Sequence, residues 1–458
     1  MTMKTYWTLI AAAAAAMVAG GAQSAPTADE IKMLGTTLTP WGAEVAGNKD
    51  GTIPAYTGGM TKPPAKYDKK RPGWRPDPFA DDKPLFSIDA KNMAQYADKL
   101  SPGTQEMLRK YPTYRVDVYP SHRSVAYPQQ VIDNSLKNAS RCGLINNGDG
   151  IDVSKGCWGG IPFPIAKSGY EILWNKNSHY GGSAQVYDAP SYYVKPNGEK
   201  VLTSDGPRYE EFGFYNEAKP EYYYLFRAEN TAPARIVGQA TMLYDLVANN
   251  ERRAWAYQPA TRRVRLAPDL AGDTPLAALG GAAVYDEVNM FQGSMDRFDM
   301  KLIGKKEMYI PYNAYKLAYA DKGSGCTVAE GLLTANHVKS ECVRWELHRV
   351  WHVQGTLKQG KRHIFSKRDF FLDEDSWHGG LADTYDAAGK LYHVYIGALS
   401  PLYEVPSAGI VPNYIVDLIS GIYTFAQVDD QGYVVVSPLS ASSLAPDSLS
   451  TFIVRVPK

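Results

Sequence analysis

From about residue 184 onward, apolar and polar residues alternate in short runs separated by turn residues, the period-two pattern of half-buried β-strands. Tyr192-Tyr193-Val194 and Lys200-Val201-Leu202 flank Asn197-Gly198, which predicts a tight type I′ hairpin. Further strands are predicted at 221–227, 234–246, 253–258, 262–266 and 298–309, then at 342–357, 363–372, 390–398, 422–428 and 433–436. The spacing is that of one long antiparallel meander. In residues 344–352, alternation places Trp345, Leu347, Arg349 and Trp351 on one face. Arg344, Glu346, His348, Val350 and His352 fall on the other, where the two histidines are expected to meet solvent.

Ahead of residue 184 the periodicity is weaker. Thr27 to Glu30 forms a capping box that opens a short helix ending at Gly35. Residues 38–84 are rich in proline and glycine and are expected to wrap over the surface of something else. Met93, Tyr96, Leu100, Met107 and Leu108 carry helical spacing, interrupted by Ser101-Pro102-Gly103 as the start of a second helix. Residues 114–119 and 123–127 read as a hairpin, and Pro128 opens a helix with Val131, Ile132 and Leu136 on one side.

The first residues add an address to this pattern. Met1 to Tyr6 carries Lys4 and no acid, and the apolar run Trp7 to Val18 is short for a bilayer span, which predicts a cleavable export signal. Small residues at Ala22 and Ser24, with Pro26 forbidding a cut after Ala25, place cleavage after Ser24. No cysteine lies near the cut to take a lipid. An export signal implies the periplasm, and no later window reaches the length of a membrane helix.

Cysteine usage agrees with an oxidising compartment. Cys142 and Cys157 are 15 residues apart, Cys326 and Cys342 are 16 apart, and neighbour pairing into two disulfides is expected. The balance of 49 Lys+Arg against 48 Asp+Glu leaves no global field to attract nucleic acid. Aromatics at 12% favour a β-rich fold with amphipathic surfaces or a cavity. The 30 prolines and interspersed helices argue against an outer-membrane barrel.

Motifs for catalysis are missing. There is no phosphate loop, dinucleotide fingerprint or Gly-x-Ser-x-Gly in a strand-turn-helix context, so no catalytic residue and no cofactor is expected. His348 and His352 beside Glu346 have two ligand types, but Arg349 occupies the place a metalloprotease gives to glutamate, and no metal is expected. Asp369, Asp373, Glu374 and Asp375 read as a solvated turn rather than a calcium loop. Arg262, Arg263 and Arg265 are candidate contacts for an anionic head group, the plain alternative being a solvated strand face.

The run Arg253 to Arg265, where a Trp255 and Tyr257 strand turns through Pro259 into an arginine-rich strand, resembles a hairpin of outer-membrane lipoprotein-sorting-like proteins. Together with residues 298–313, 345–352 and Leu38-Thr39-Pro40-Trp41-Gly42, it is similar to a Gram-negative family known as domain of unknown function 1329, across essentially the whole mature chain. The resemblance implies a mainly β (α+β) fold: a large curved antiparallel sheet, an unclosed β-barrel of LolA/LolB type, with helices covering an apolar cavity. The expected organisation is 1–24 signal peptide, 25–185 N-terminal extension packed on the sheet, and 186–458 LolA/LolB-like domain. It also implies genomic company with resistance-nodulation-division-type exporters.

The expected function is non-enzymatic binding or carriage of a hydrophobic ligand such as a lipid or acyl chain. Trp255, Tyr257, Trp345, Leu347 and Trp351 are the candidate cavity residues, with Met290 and Phe291 as a lid. These side chains equally suit an ordinary sheet core. The rival functions are an adaptor of an envelope transport complex, whose cavity would be filled by its own side chains, and a hydrolase of envelope glycans or lipids.

Overall fold

The computed structural model describes residues 25–426 and 432–451. The expected export signal and residues 452–458 lie outside the described residues. Two antiparallel sheets dominate. The larger runs Phe86–Ile88, Val116–Val118, Trp345–Leu357, Lys367–Asp373, Gly380–Tyr385, Leu391–Leu399, Ile410–Asp417, Tyr423–Ala426, Ser191–Val194, Lys200–Ser204, with Phe298–Pro311 paired along the other edge of Trp345–Leu357. The smaller runs Arg263–Leu266, Arg252–Gln258, Ala240–Leu246, Tyr222–Glu229, Pro207–Glu211, Ala184–Asp188, Val434–Val436. The fold is mainly β, and neither sheet closes into a barrel.

The single meander expected from the strand spacing is in fact two, joined by one long hairpin. Residues 207–266 zigzag through the smaller sheet and residues 298–426 through the larger. Residues 184–211 form a hairpin around Asn197-Gly198, with one half in each sheet. Its legs bend at Pro190 and Gly206. Gly206 has φ +127°, and a Cβ there would lie 2.5 Å from the Glu229 carbonyl oxygen, so only glycine fits the corner. The larger sheet is strongly curved: Ala314 N–H, just past one edge strand, donates to Leu399 O, four strands away, at 2.9 Å.

The capping box opens the helix Ala28–Met33, and Ser101 caps the helix Pro102–Lys110, which buries Met107 and Leu108. The expected hairpin at 114–127 does not form. Val116–Val118 pairs with Phe86–Ile88 and touches Trp345 in parallel, because the curved sheet offers a free backbone there, whereas 123–127 has no regular structure. The helix Gln129–Arg141 turns Val131 inward but leaves Leu136 exposed; its buried face is completed by Asn134, Ser135, Asn138 and Ala139.

The helix Gly169–Asn177 is capped by Ser168 and Glu171, buries nearly all its residues and packs on the Phe298–Pro311 and Trp345–Leu357 strands. Buried on all sides, it has no amphipathic stripe to betray it in sequence. Residues 38–84 are largely irregular and bury Trp41, Ala43 and Ile53, and Trp377 Nε1 donates to the Trp41 carbonyl at 2.7 Å. Both disulfides, Cys142–Cys157 and Cys326–Cys342, are present. Among the described residues no helix is long and apolar enough to cross a membrane.

Candidate functional site

A cavity of about 210 Å³ lies where the bent hairpin holds the two sheets apart. Alternation decides which residues line it. Phe226, Leu243 and Glu210 sit opposite one another across three strands of the smaller sheet and so share the face turned to the cavity. Tyr224 and Ala228 extend that wall, while Asn413, Ile415 and Ala426 belong to the larger sheet. His179 and His378, stacked with ring centroids 3.7 Å apart, lie at one side, and burial holds both below the usual histidine range.

Residues 276–292 cross the cavity as a lid, contributing Leu276, Leu279, Val288, Asn289 and Gln292. Buried polar groups pin it on three sides. Asp286 Oδ2 accepts from Arg368 Nη1 at 2.8 Å and lies 2.9 Å from His363 Nε2. Glu287 Oε1 meets His393 Nδ1 at 2.8 Å, and Gln292 Nε2 donates to Asp245 Oδ2 at 2.9 Å. Burial alone would raise the Asp286 carboxyl, but Arg368 and His363 outweigh it and hold the group well below the usual range.

The wall is not wholly apolar. Glu210 accepts hydrogen bonds from Tyr187 Oη at 2.6 Å and Tyr224 Oη at 2.8 Å, and burial pushes its pKa up. Arg208 also lines the cavity; its Nη1 is spent on the carbonyls of Gly206, Pro207 and Glu229, and burial lowers its pKa. The cavity lining therefore combines the apolar side chains of Phe226, Leu243, Ile415 and Leu279 with polar groups that include Glu210 and Arg208.

A second constellation lies at the end of the Trp345–Leu357 strand. The acids expected in a solvated turn are buried there: Asp373 is 0% exposed, and Glu374 and Asp375 are 1% exposed. Glu346 and His348, expected to meet solvent, are buried too, because residues 38–84 and 119–125 cover that end of the sheet. Arg123 grips Asp375 through Nε at 2.8 Å and Nη2 at 2.6 Å. Lys305 and Arg349 hold Glu374 at 2.8 and 3.2 Å. Burial and the neighbouring Asp375 carboxylate push Asp373 up to about 7.

The family model described as a protein of unknown function, DUF1329, matches residues 87–450. The chain belongs to the DUF1329 family. An uncharacterized protein of Pseudomonas aeruginosa is 37% identical over 422 residues, 90% of each chain. Among solved structures, a DUF1329 family protein from Desulfovibrio piger is 15% identical with a TM-score of 0.42, over 61% of this chain and 97% of that one. A LolA superfamily protein from Nitrosomonas europaea is 11% identical with a TM-score of 0.35, over 61% of this chain and 98% of that one.

None of the seven aromatic and apolar residues expected in the cavity of this DUF1329 protein lines it. Trp255 and Tyr257 pair with Met242 and Ala240, one residue out of phase with cavity-lining Thr241 and Leu243, so they point through the opposite face and pack with Leu449. Met290 and Phe291 do belong to the lid, but both turn into the core; Phe291 meets the Phe370 ring at 5.7 Å. Trp345 and Leu347 are core residues, and Trp351 stacks on Trp377 at 5.8 Å under Lys305. Both faces of the Trp345–Leu357 strand are covered, so its aromatic alternation marks packing rather than a ligand surface.

Arg262, Arg263 and Arg265 project into solvent from the far hairpin of the smaller sheet, away from the cavity. The cavity residues that sequence reasoning missed, Tyr224, Phe226 and Leu243, do alternate along their strands. That signal was present in the 222–246 stretch but does not say which of two faces is concave.

Proposed function

We propose that this DUF1329 protein is a non-enzymatic periplasmic binder or carrier of a hydrophobic ligand, such as a lipid or acyl chain. The observation that carries the proposal is the lidded cavity between the two sheets, lined by Phe226, Leu243, Leu279 and Ile415 with Glu210 and Arg208 among its polar groups. Its volume is below the ~300–1,000 Å³ typical of sites for drug-sized ligands, which suits one small molecule or one chain segment rather than a whole lipid. Each 100 Å² of apolar ligand surface removed from water there contributes about 2.5 kcal/mol. That the cavity is not filled by the protein's own side chains favours a binder over a purely structural adaptor.

The two disulfides support work in an oxidising compartment, in keeping with the export signal read from residues 1–24. Delivery to an exporter of the resistance-nodulation-division type is part of the proposal; its support is the family resemblance alone.

Uptake of a fluorescent fatty acid tests the reading. Leu243→Trp, which fills the cavity, is expected to weaken binding by about ten-fold or more, equivalent to about 1.4 kcal/mol. Wild-type protein that takes up none of a panel of apolar probes, or a Leu243→Trp variant that binds as well as wild type, refutes it.

A further inference from the structure

We propose that His348 Nδ1, Asp373 Oδ1 and a carboxylate oxygen of Asp375 form a buried site for one divalent transition-metal ion. The three side chains are buried, and one ligand atom from each lies within 4.8 Å of the other two. Metal–ligand distances of about 2.0–2.2 Å separate neighbouring ligand atoms by roughly 3–4 Å. The 3.8 Å between His348 Nδ1 and Asp373 Oδ1 already falls in that range, and a pair at the 4.8 Å limit has to draw in by roughly 1 Å or more.

The hydrogen bonding around the three residues points to a cation between them. Asp373 Oδ2 accepts from Ser376 N at 2.8 Å, but Oδ1 is buried without a hydrogen-bond partner. On the facing side, His348 Nε2 lies 3.0 Å from Glu346 Oε2. Glu346 is fixed in turn by Arg344 Nε at 2.5 Å, Asn313 Nδ2 at 3.0 Å and His122 N at 2.8 Å. A neutral imidazole that donates from Nε2 to Glu346 carries its lone pair on Nδ1. With Asp373 ionised, two lone pairs then face each other across 3.8 Å, a separation too long for a hydrogen bond. A buried carboxylate orienting a histidine from behind is also what metal-binding histidines use to fix their tautomer. Tyr312 stacks on the His348 ring, centroids 3.8 Å apart at 16°, which holds its plane.

Charge accounting gives the same answer. Glu346 has Arg344, Glu374 has Lys305 and Arg349, and Asp375 has Arg123. Asp373 faces only His348 at salt-bridge range among the described residues, so its carboxylate, when ionised, is the one of these four with no cationic side chain directly against it. One imidazole and two carboxylates suit zinc or manganese. Because Asp375 also holds Arg123 of the N-terminal half, the ion would tie residues 119–125 to the sheet.

The test is elemental analysis of the mature protein, purified from the periplasm without a histidine tag or chelator. After stripping with dipicolinate, it is titrated with Zn²⁺ and with Mn²⁺ while Tm is read. The expected result is about one equivalent of transition metal as purified, a Tm that rises when one of the two ions is returned, and an at least about ten-fold loss of bound metal in His348→Gln and Asp373→Asn. His352→Gln, four residues along the strand and bonded to Asp369 instead, keeps its metal. Wild type that is metal-free as purified and shows no Tm response to either ion overturns the proposal, as do His348→Gln and Asp373→Asn variants that retain full metal. In that case His348 is an imidazolium donating to both Glu346 and Asp373, visible as two protonated ring nitrogens by NMR.

Discussion

Asp286, on the lid over the cavity, and Arg368, in the middle of the larger sheet, are joined by a 2.8 Å ion pair buried from solvent. The guanidinium is surrounded by the rings of Phe291, Phe298, Phe365 and Phe370. A cation in such a place depends on its one close carboxylate. Asp286→Asn leaves it unpaired and is expected to lower stability by about 3–5 kcal/mol. Urea unfolding checks this, and a midpoint unchanged from wild type contradicts it.

Trp255 and Leu243 lie on adjacent strands of the smaller sheet but on opposite faces, which separates packing from binding. Trp255→Ala removes a partly buried ring that packs with Met242 and Leu449, and is expected to cost about 2 kcal/mol, less than the 3–5 typical of a fully buried tryptophan. Ligand affinity should stay within about two-fold of wild type. A stable Trp255→Ala protein that loses fatty-acid uptake contradicts the placement of the cavity.

The strands were largely legible because period-two alternation survives wherever a sheet has one buried face. Asn197-Gly198 marked the hairpin that links both sheets, and the cysteine spacing marked both disulfides. The candidate site was not legible. Trp345, Leu347 and Trp351 alternate with polar residues as a cavity wall would, yet residues 44–46 and the helix Gly169–Asn177 lie against their face of the strand, and residues 119–125 meet the other at Glu346. The same covering buried Asp373, Glu374 and Asp375, which charge alone assigns to solvent. Whether a strand face meets water, core or ligand depends on segments far away in sequence, and alternation carries no information about them.

Closure of 15- and 16-residue loops restricts the unfolded chain by about 3 kcal/mol per disulfide. The Cys142→Ser/Cys157→Ser double variant is therefore expected to unfold at lower urea by that amount. A midpoint shift below about 0.5 kcal/mol would show that the bridge adds little to stability.

Lys176 is fully buried, donates to the Phe291 carbonyl at 2.5 Å, and burial lowers its pKa from 10.5 to about 7. Below about pH 7 both folded and unfolded chains hold the proton, whereas between 7 and 10.5 the unfolded chain binds more. Stability due to this group therefore rises with pH across that window, by up to about 1.4 kcal/mol per unit. Urea unfolding of wild type and Lys176→Met at pH 7 and pH 9 isolates the effect: wild type should gain on the variant at the higher pH. Parallel pH dependences in the two proteins would contradict it.

Native mass spectrometry of the protein, released gently from cells and sprayed without detergent, tests the ligand-binding claim most directly. The expected spectrum shows the protein carrying one apolar small molecule, a mass that Leu243→Trp removes and Trp255→Ala leaves in place. A spectrum of bare protein, unchanged after incubation with fatty acids of several chain lengths, would contradict it.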